Sequence, residues 1–295
     1  MDATHFVDCK GHILLNACRL EGQFDDALNI HGAFWKVVEH REDSWIRAKI
    51  MHPQQIGVKN LLVGDKVALF ERKTQKILHI TDVVEVKTLN KSVVDIQLGD
   101  LPAGLLEIDL IICRYCKDTL LEIRGSHFGA NRGRGLLLSI PGKILVENNY
   151  FHVDGAAIEI TSDSEYWWES GPVEDVEIRN NTFDDCGFGI SGKVLFSIRP
   201  ELPHEHSDSI HSPIKSIVKS DSEQNNSKEK IFVHKNVRIH HNKIIRHNST
   251  LILADMIDGL SFEDNEILWS EKYKRNENGE AIKLGENVKS FNKGG

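Results

Sequence analysis

The sequence predicts an all-β protein, a right-handed parallel β-helix with a small antiparallel β-barrel inserted into it. The first observation is that five segments align without gaps: LLEIRGSHF, KILVENNYF, DVEIRNNTF, NVRIHHNKI and GLSFEDNEI. They end at Phe128, Phe151, Phe183, Ile244 and Ile267, so the intervals are 23, 32, 61 and 23 residues. Repeats of this length are typical of a solenoid, and the longer intervals indicate coils with inserted loops.

The second observation is the pattern inside each segment. Apolar residues alternate with polar ones at a period of two, and Val, Ile and Leu predominate, which favours strands over the helices of other repeat proteins. The third is a polar pair, often containing Asn, at one place in successive segments. Asn tolerates the left-handed backbone of a tight corner, and its amide can bond to the next coil. We therefore assign a structural role to four residues: Asn149, Asn181, Asn242 and Asn265.

The barrel is predicted from a change in the sequence pattern between the first coil and the later ones. The segment ILLNACRL, ending at Leu20, fits the repeat, but its return at Phe128 takes far more residues than one coil needs. The surplus contains short alternating runs such as WIRAKI and KVALFER, separated by turns such as VGD and LPAG. The predicted organisation is β-helix coils at 1–32, a barrel at 33–110, further coils at 111–285 with a flexible loop near 200–230, and a tail at 286–295.

Composition excludes several function classes. With 44 acidic and 36 basic residues, the formal charge of −8 argues against a nucleic-acid partner and suits a neutral substrate. No apolar run is long enough to predict a membrane span, and no signal peptide is visible. The five cysteines give no disulfide framework, and the lone CxxC of Cys113 and Cys116 lacks the second half of a zinc site.

Acidic residues near the start of the chain are the candidates for chemistry. Asp2 lies 23 residues before Asp25, which is followed by Asp26, so Asp2 and Asp25 are predicted to share one column. Arg132 and Arg134 fall on the next coil, about 4.8 Å away. Clustered carboxylates raise the pKa of one member, and glycosidases use such an acid beside an ionised partner. The alternatives are a turn capped by the Asp25 and Asp26 side chains, and a calcium site.

A second cluster lies in the loop of the 32-residue coil, TSDSEYWWESGP. Aromatic rings beside carboxylates are typical of sugar sites, where Trp167 or its neighbour Trp168 would stack on a pyranose while Asp163 and Glu169 grip hydroxyls. The alternative is that the tryptophans pack the loop onto the solenoid.

Three stretches together resemble the α-1,3-galactosidases of glycoside hydrolase family 110. They are DATHFVDCKGHILLNACRLEGQFDDALNIHG, NRGRGLLLSIPGKILVENNYF and YWWESGPVEDVEIRNNTFDDC, and the resemblance covers residues 2 to about 270. It implies a parallel β-helix with embedded barrels and the removal of terminal α-1,3-linked galactose with inversion, without metal or cofactor. The implied partner is a galactose-terminated oligosaccharide or glycoconjugate, such as blood-group B or linear Galα1-3Gal glycans. The choice between branched and linear substrates stays open.

Matching positions carry the family's roles onto this chain. The resemblance implies that Asp2, Asp25 and Asp26 are catalytic, with Asp25 as general acid while the other two hold and deprotonate the attacking water. The substrate-binding residues expected from it are Asn29, His31, Arg132, Arg134, Asp163, Trp167 and Glu169.

The chain departs from this family in one respect. Those enzymes are about twice as long and carry an export signal followed by more β-helix, whereas Asp2 is the second residue here. We therefore expect a missing N-terminal β-helix segment as a further partner. Localisation stays open, because the resemblance indicates a secreted or periplasmic protein and this sequence shows no signal.

Two other functions remain possible on the sequence alone. A non-catalytic glycan-binding β-helix would use the same pocket without turnover, and a polysaccharide lyase would need a base such as Arg132 or Arg134, often with calcium. A second acidic pair, Asp184 and Asp185, lacks a similarly placed third carboxylate.

Overall fold

The computed structural model describes residues 1–59, 61–105, 107–189, 194–203, 230–272 and 281–294. It confirms the predicted fold class, a parallel β-helix that carries a closed antiparallel barrel. Six successive coils contribute one strand to each of three parallel sheets, and a further coil contributes described strands to two of them.

The first sheet positions the candidate site, and short strand β17 (Glu169–Ser170) pairs antiparallel with its second strand. Its parallel strands, in spatial order, are β1 (Thr4–Val7), β4 (Leu28–Ala33), β13 (Leu136–Ser139), β16 (Ile158–Ile160), β20 (Val194–Ile198), β23 (Thr250–Ala254) and β26 (Ile282–Leu284).

The other two sheets complete the coils. The second consists of β2 (His12–Asn16), β11 (Leu120–Arg124), β14 (Lys143–Glu147), β18 (Asp175–Arg179), β21 (His234–His240), β24 (Ile257–Glu263) and β27 (Val288–Lys293). The third consists of β3 (Arg19–Glu21), β12 (His127–Gly129), β15 (Tyr150–His152), β19 (Thr182–Asp184), β22 (Lys243–His247) and β25 (Glu266–Trp269).

Register in the third sheet follows the repeat alignment. Leu20 lies opposite Phe128, Phe128 opposite Phe151, and Phe151 opposite Phe183, after which the column continues through two isoleucines. Neighbouring phenylalanine rings stack inside the solenoid with centroids 4.8 and 5.0 Å apart. The alternating residues of the strands thus fill one continuous apolar core.

The four asparagines form the expected ladder at one corner. Asn149 donates its backbone N–H to Oδ1 of Asn181 at 2.9 Å, and the same contact links Asn181 to Asn242 and Asn242 to Asn265. The left-handed backbone, however, belongs to the residue before each ladder position, such as Asn148 at φ 57°. Two neighbouring residues therefore perform the roles expected of one asparagine: the first adopts the left-handed backbone, and the second bonds to the next coil.

The inserted barrel leaves the solenoid after β4 and returns to it before β11. Its strands, in order around the barrel, are β10 (Leu110–Arg114), β5 (Trp35–His40), β6 (Trp45–Ile50), β9 (Val93–Leu98), β8 (Ile77–Thr88) and β7 (Lys66–Glu71). Short 3-10 turns occur at Pro53–Gln55 and Ala103–Leu105. A buried ion pair, Arg114 Nε to Asp65 Oδ2 at 2.8 Å, lies at its base, where Arg114 also donates to the Asp8 carbonyl.

The sequence also predicts a flexible loop and a terminal tail. Most of the loop expected near 200–230 lies outside the described residues. The segment 286–295 was predicted as a tail, but β27 within it pairs in parallel with β24, with Ile257 opposite Val288. In the described ranges no helix is both long and apolar enough to cross a membrane.

Candidate active site

The predicted catalytic residues lie just before strands of the first sheet. β1 pairs with β4 so that Thr4 is opposite Leu28, and Ala3 N–H donates to the Asp26 carbonyl at 2.9 Å. The offset between these coils is therefore 24 residues, which aligns Asp2 with Asp26. The prediction that Asp2 shares a column with Asp25 was wrong by one residue, because the 23-residue interval was measured in the third sheet.

The structure nevertheless brings the three carboxylates together. One oxygen atom from each of Asp2, Asp25 and Asp26 lies within 4.8 Å of the others. Asp2 Oδ1 accepts the Asp26 backbone N–H at 3.2 Å, which fixes the orientation of the first carboxylate. Asp26 is buried and Asp25 is exposed, so the adjacent pair presents two different environments.

Arg134 holds the buried member of the pair. Its guanidinium contacts both Asp26 oxygens, Nε to Oδ1 at 2.9 Å and Nη2 to Oδ2 at 2.7 Å, and its backbone N–H donates to Oδ1 at 2.7 Å. Glu159 lies 3.4 Å from Nη1. Burial alone would lower the Arg134 pKa, but the negative charges of Glu159 and Asp26 raise it. This double contact makes Asp26 a fixed, charge-paired carboxylate.

Asp25 and Asp2 are shifted in opposite directions. The pKa of Asp25 is raised, first by desolvation and then by the charges of Asp26 and Asp2, which outweigh nearby Arg134. For Asp2, desolvation also raises the pKa, but the hydrogen bond and charge of His5 and the Asp26 N–H produce a net lowering. The cluster therefore contains one carboxyl that retains its proton more readily beside one that ionises more readily.

The NRGRG motif explains how the corner packs so closely on the two aspartates. A Cβ atom at Gly133 would lie 2.6 Å from the Asp25 carbonyl carbon and 2.8 Å from the Asp26 nitrogen, so only glycine fits. The Asn131 side-chain amide donates to the backbone carbonyls of Asp25 and Arg134 at 3.0 and 2.7 Å. These two residues fix the corner against the aspartates.

Two histidines line the outer face of the first sheet beside the cluster. His5 Nδ1 lies 2.9 Å from Asp2 Oδ2, and His5 Nε2 lies 2.7 Å from His31 Nε2. His31 is buried, and its Nδ1 is 2.7 Å from the Gly32 carbonyl oxygen. A chain of close contacts thus runs from a candidate catalytic carboxylate into the barrel-proximal end of β4.

Glu169 covers this row from β17. β17 can lie on β4 because position 32 is glycine, where a Cβ would meet Ser170 Oγ at 2.4 Å. Glu169 Oε1 is 3.4 Å from His31 Nε2. Desolvation raises the pKa of Glu169 to about 7, although a hydrogen bond from Asn29 opposes the rise. A largely buried carboxyl that is half-protonated near neutral pH therefore faces Asn29 and His31.

The two tryptophans of the loop before β17 have different environments, one exposed and one buried. Trp167 is 43% exposed and packs beside His52 of the barrel with ring centroids 4.8 Å apart, so part of its ring is accessible to solvent. Trp168 is buried, with the Arg72 guanidinium 4.8 Å over its ring, and it packs the loop onto the barrel. Asp163 accepts three backbone N–H groups, from Glu165, Tyr166 and Trp167. Its carboxylate shapes the loop.

Most of the predicted site residues therefore gather around β1, β4 and β17. Arg132 is exposed at the corner, and its side chain has no ion-pair partner among the described residues. His5 was missed by the sequence reasoning. Extending the gap-free alignment of residues 4–7 with 28–31 would have found it, since this places His5 opposite Asn29 on the outward row.

Two sets of donor atoms in the described residues are close enough to hold a metal ion. One is the aspartate cluster and the other is His5, His31 and Glu169, with the donors of each set within 4.8 Å of one another. The competing acidic pair is built differently: Asp184 accepts the Tyr150 hydroxyl at 2.7 Å and pairs with Arg246 at 2.6 Å. Asp184 is thus held by structural contacts on the third sheet.

The chain is similar in sequence to known proteins in both its barrel and its solenoid. Residues 45–111 match the family model described as GLAA-B beta-barrel domain II. The chain is 32% identical over 274 residues to Alpha-1,3-galactosidase A of Shewanella woodyi, covering 92% of this chain and 41% of that protein. It is 31% identical to Alpha-1,3-galactosidase B of Bacteroides thetaiotaomicron, with 92% and 41% covered, and 31% identical to Alpha-1,3-galactosidase A of Bacteroides fragilis, with 92% and 42% covered.

The chain spans about two fifths of the length of these relatives. Within that span the similarity includes both the solenoid coils and the barrel. The predicted relationship is confirmed, and this chain is a homologue of the proteins named alpha-1,3-galactosidase.

Proposed function

We propose that this chain forms part of an exo-acting glycoside hydrolase that removes terminal α-1,3-linked galactose with inversion. The observation that carries the proposal is the convergence of Asp2, Asp25 and Asp26 beside Arg134. It occurs in a chain whose relatives are named alpha-1,3-galactosidase. We take the substrate class to be a galactose-terminated glycan of the blood-group B or linear Galα1-3Gal type, which the sequence resemblance to glycoside hydrolase family 110 favours.

The two kinds of carboxyl suggest a division of roles. Asp25 is exposed and its pKa is raised, which suits the general acid that protonates the leaving oxygen. Asp2 has a lowered pKa and accepts the Asp26 N–H, which suits the base that takes a proton from water. Asp26, fixed by Arg134, completes the hold on that water.

Inversion requires a wider separation than the closest approach of these groups. The two carboxyls of inverting glycosidases stand about 6.5–9.5 Å apart to admit a water molecule. The nearest oxygens of the cluster lie within 4.8 Å. Because the Asp25 side chain is exposed, we infer that it turns outward when galactose enters, while Asp2 and Asp26 keep their places.

The remaining polar residues provide a floor for the sugar. Asn29 and His31 alternate along β4, Glu169 lies 3.4 Å from His31, and Trp167, two residues before Glu169, has an exposed ring. A protonated Glu169 can donate to a hydroxyl and accept from another, while the indole face covers the apolar side of galactose. This arrangement recognises one terminal sugar, as an exo-acting enzyme requires.

The role of the cluster is tested with Asp25→Asn. We expect the initial rate of galactose release from Galα1-3Gal to fall by at least about 100-fold, since a general acid is lost. Galactose binding, measured by calorimetry, should persist. The matched control is Asp185→Asn, which changes the second acidic pair. Equal rates for Asp25→Asn and the unchanged protein would overturn the assignment.

The second candidate function is glycan binding without turnover. Among the described residues, β1, β2 and β3 are the outermost strands of their sheets, so there the coil that bears Asp2 is paired on one side only. If the proposed pocket needs a further β-helix segment on that side, the 295-residue chain alone would bind galactose without releasing it. Measuring binding and turnover on the same preparation separates the two functions.

A further inference from the structure

We propose that His5 is a positioning residue, a cationic imidazolium held between Asp2 and His31 that keeps Asp2 ionised and oriented as the base. This inference rests on the proposed hydrolase function for the role of Asp2. The protonation pattern it requires is argued from the contacts and from the burial of His31, and it can be tested without activity.

The state of His31 sets the pattern. Its Nδ1 lies 2.7 Å from the Gly32 carbonyl oxygen, which can only accept, so Nδ1 carries a hydrogen. The ring is 2% exposed, and desolvation lowers the pKa of His31 to about 4. A neutral ring with hydrogen on Nδ1 has a bare Nε2. His31 Nε2 is therefore an acceptor.

The state of His5 follows from its two neighbours. Its Nε2 lies 2.7 Å from the bare Nε2 of His31, so His5 must supply the hydrogen of that bond. Its Nδ1 lies 2.9 Å from Oδ2 of Asp2, whose ionised carboxylate only accepts. Both His5 nitrogens thus carry hydrogen, and the ring is positively charged.

The surroundings favour this charge. The groups facing His5 are Asp2 at the start of its own strand, Asp26 and His31 on β4, and Glu169 on β17. The Asp2 hydrogen bond is the main reason that the pKa of His5 is raised, and Asp26 and Glu169 add to the rise while burial opposes it.

The charged His5 ring both favours the ionised form of Asp2 and fixes the orientation of its carboxylate. One oxygen, Oδ2, is bound to His5, and the other, Oδ1, accepts the Asp26 N–H at 3.2 Å. The carboxylate plane is therefore fixed by two donors from different coils. Without His5, desolvation would raise the pKa of Asp2 unopposed by the strongest of these donors.

The first test is nitrogen-15 NMR of the histidine rings. At pH 7 we expect both His5 nitrogens to show protonated shifts, and His31 to show the neutral tautomer with hydrogen on Nδ1. A neutral His5 at pH 7, or a His31 with hydrogen on Nε2, would overturn the proposal. This outcome does not depend on whether the chain hydrolyses galactosides.

The second test is the pH profile of His5→Gln, which keeps a donor but removes the charge. We expect the acidic limb of kcat/KM to move upward by about one pH unit, the usual effect of losing an opposite charge at this distance. The control is His12→Gln on the second sheet, which removes a similar contact, 2.7 Å to Glu122, far from the site.

Two outcomes would contradict the positioning role. The first is an equal loss of rate at every pH with the acidic limb unmoved, which describes a purely structural residue. The second is an unshifted carbon-13 titration of the Asp2 carboxyl in His5→Gln. The carboxyl titration separates failure of this inference from failure of the hydrolase proposal, since it needs no substrate.

Discussion

Glu169 is an acidic side chain that is largely buried, and its pKa is raised mainly because burial disfavours the charged carboxylate. Its folded-state pKa of about 7 lies above the ordinary 4.5, so the folded protein favours the protonated form. The associated stability is fully present below pH 4.5 and is lost as pH rises through 7. The residue that we propose to bind substrate therefore costs stability at alkaline pH.

This cost predicts the behaviour of Glu169→Gln. At pH 8 we expect its free energy of unfolding to exceed that of the unchanged protein by about 1–3 kcal/mol, because glutamine cannot ionise. At pH 4 the gain should vanish. Urea unfolding at the two pH values measures the difference, and Glu165→Gln, in the same loop and more exposed, is the control. A gain independent of pH would refute the explanation.

Individual side chains show where sequence reasoning stops. Asp25, Asp26 and the glycine-containing corner could be located from spacing and resemblance. The alignment of Asp2 failed by one residue, because the coil length differs between sheets: 24 residues separate β1 from β4. His5 could not be assigned a role from spacing, since its role depends on a contact with His31, which is 26 residues away along the chain, as well as on its contact with Asp2.

The corner that contains NRGRG controls the geometry of the acidic pair. Its Gly133 approaches the Asp25 and Asp26 backbone more closely than any Cβ allows. We predict that Gly133→Ala moves these aspartates, lowers activity at least about tenfold and lowers stability by about 1–3 kcal/mol. Activity assays and urea unfolding measure both effects.

A matched glycine provides the control for that substitution. Gly104 in the barrel has no atom within 4 Å of an added Cβ, so Gly104→Ala should leave activity unchanged. If Gly133→Ala and Gly104→Ala behave alike, the close approach at the corner does not position the acidic pair.

The repeated elements were more predictable than the residues between them. Strand positions follow from a pattern that successive coils repeat, and the asparagine ladder follows from four of those coils, so errors at one coil are corrected by its neighbours. The left-handed residue was misplaced by one position, because sequence alone does not separate the residue that turns the corner from the residue that bonds across coils. β17 could not be predicted, since its two residues carry no periodic signal.

The architecture of the chain explains why the site forms where it does. The barrel leaves after β4 and the next coil returns with the NRGRG corner, so Arg134 meets Asp26 although 108 residues separate them. The fold class and the inserted barrel were predictable, because the solenoid repeats one sequence pattern in successive coils and the barrel has short alternating runs separated by turns. The strand at 288–293 was not, since its polar sequence resembles a terminal tail.

Metal independence is a property to test on the intact protein. The resemblance implies hydrolysis without metal, while two sets of donors are close enough to hold an ion. We predict that prolonged treatment with EDTA leaves both the initial rate and the melting temperature unchanged. A loss of either that added calcium or zinc restores would show that one of these sets binds an ion.

The most direct test of the proposed mechanism is proton NMR of galactose as it is released from Galα1-3Gal. We expect β-galactose to appear first with the unchanged chain and Asp25→Asn to release almost none. Initial α-galactose would contradict inversion, and undiminished release by Asp25→Asn would contradict the role assigned to the aspartate cluster.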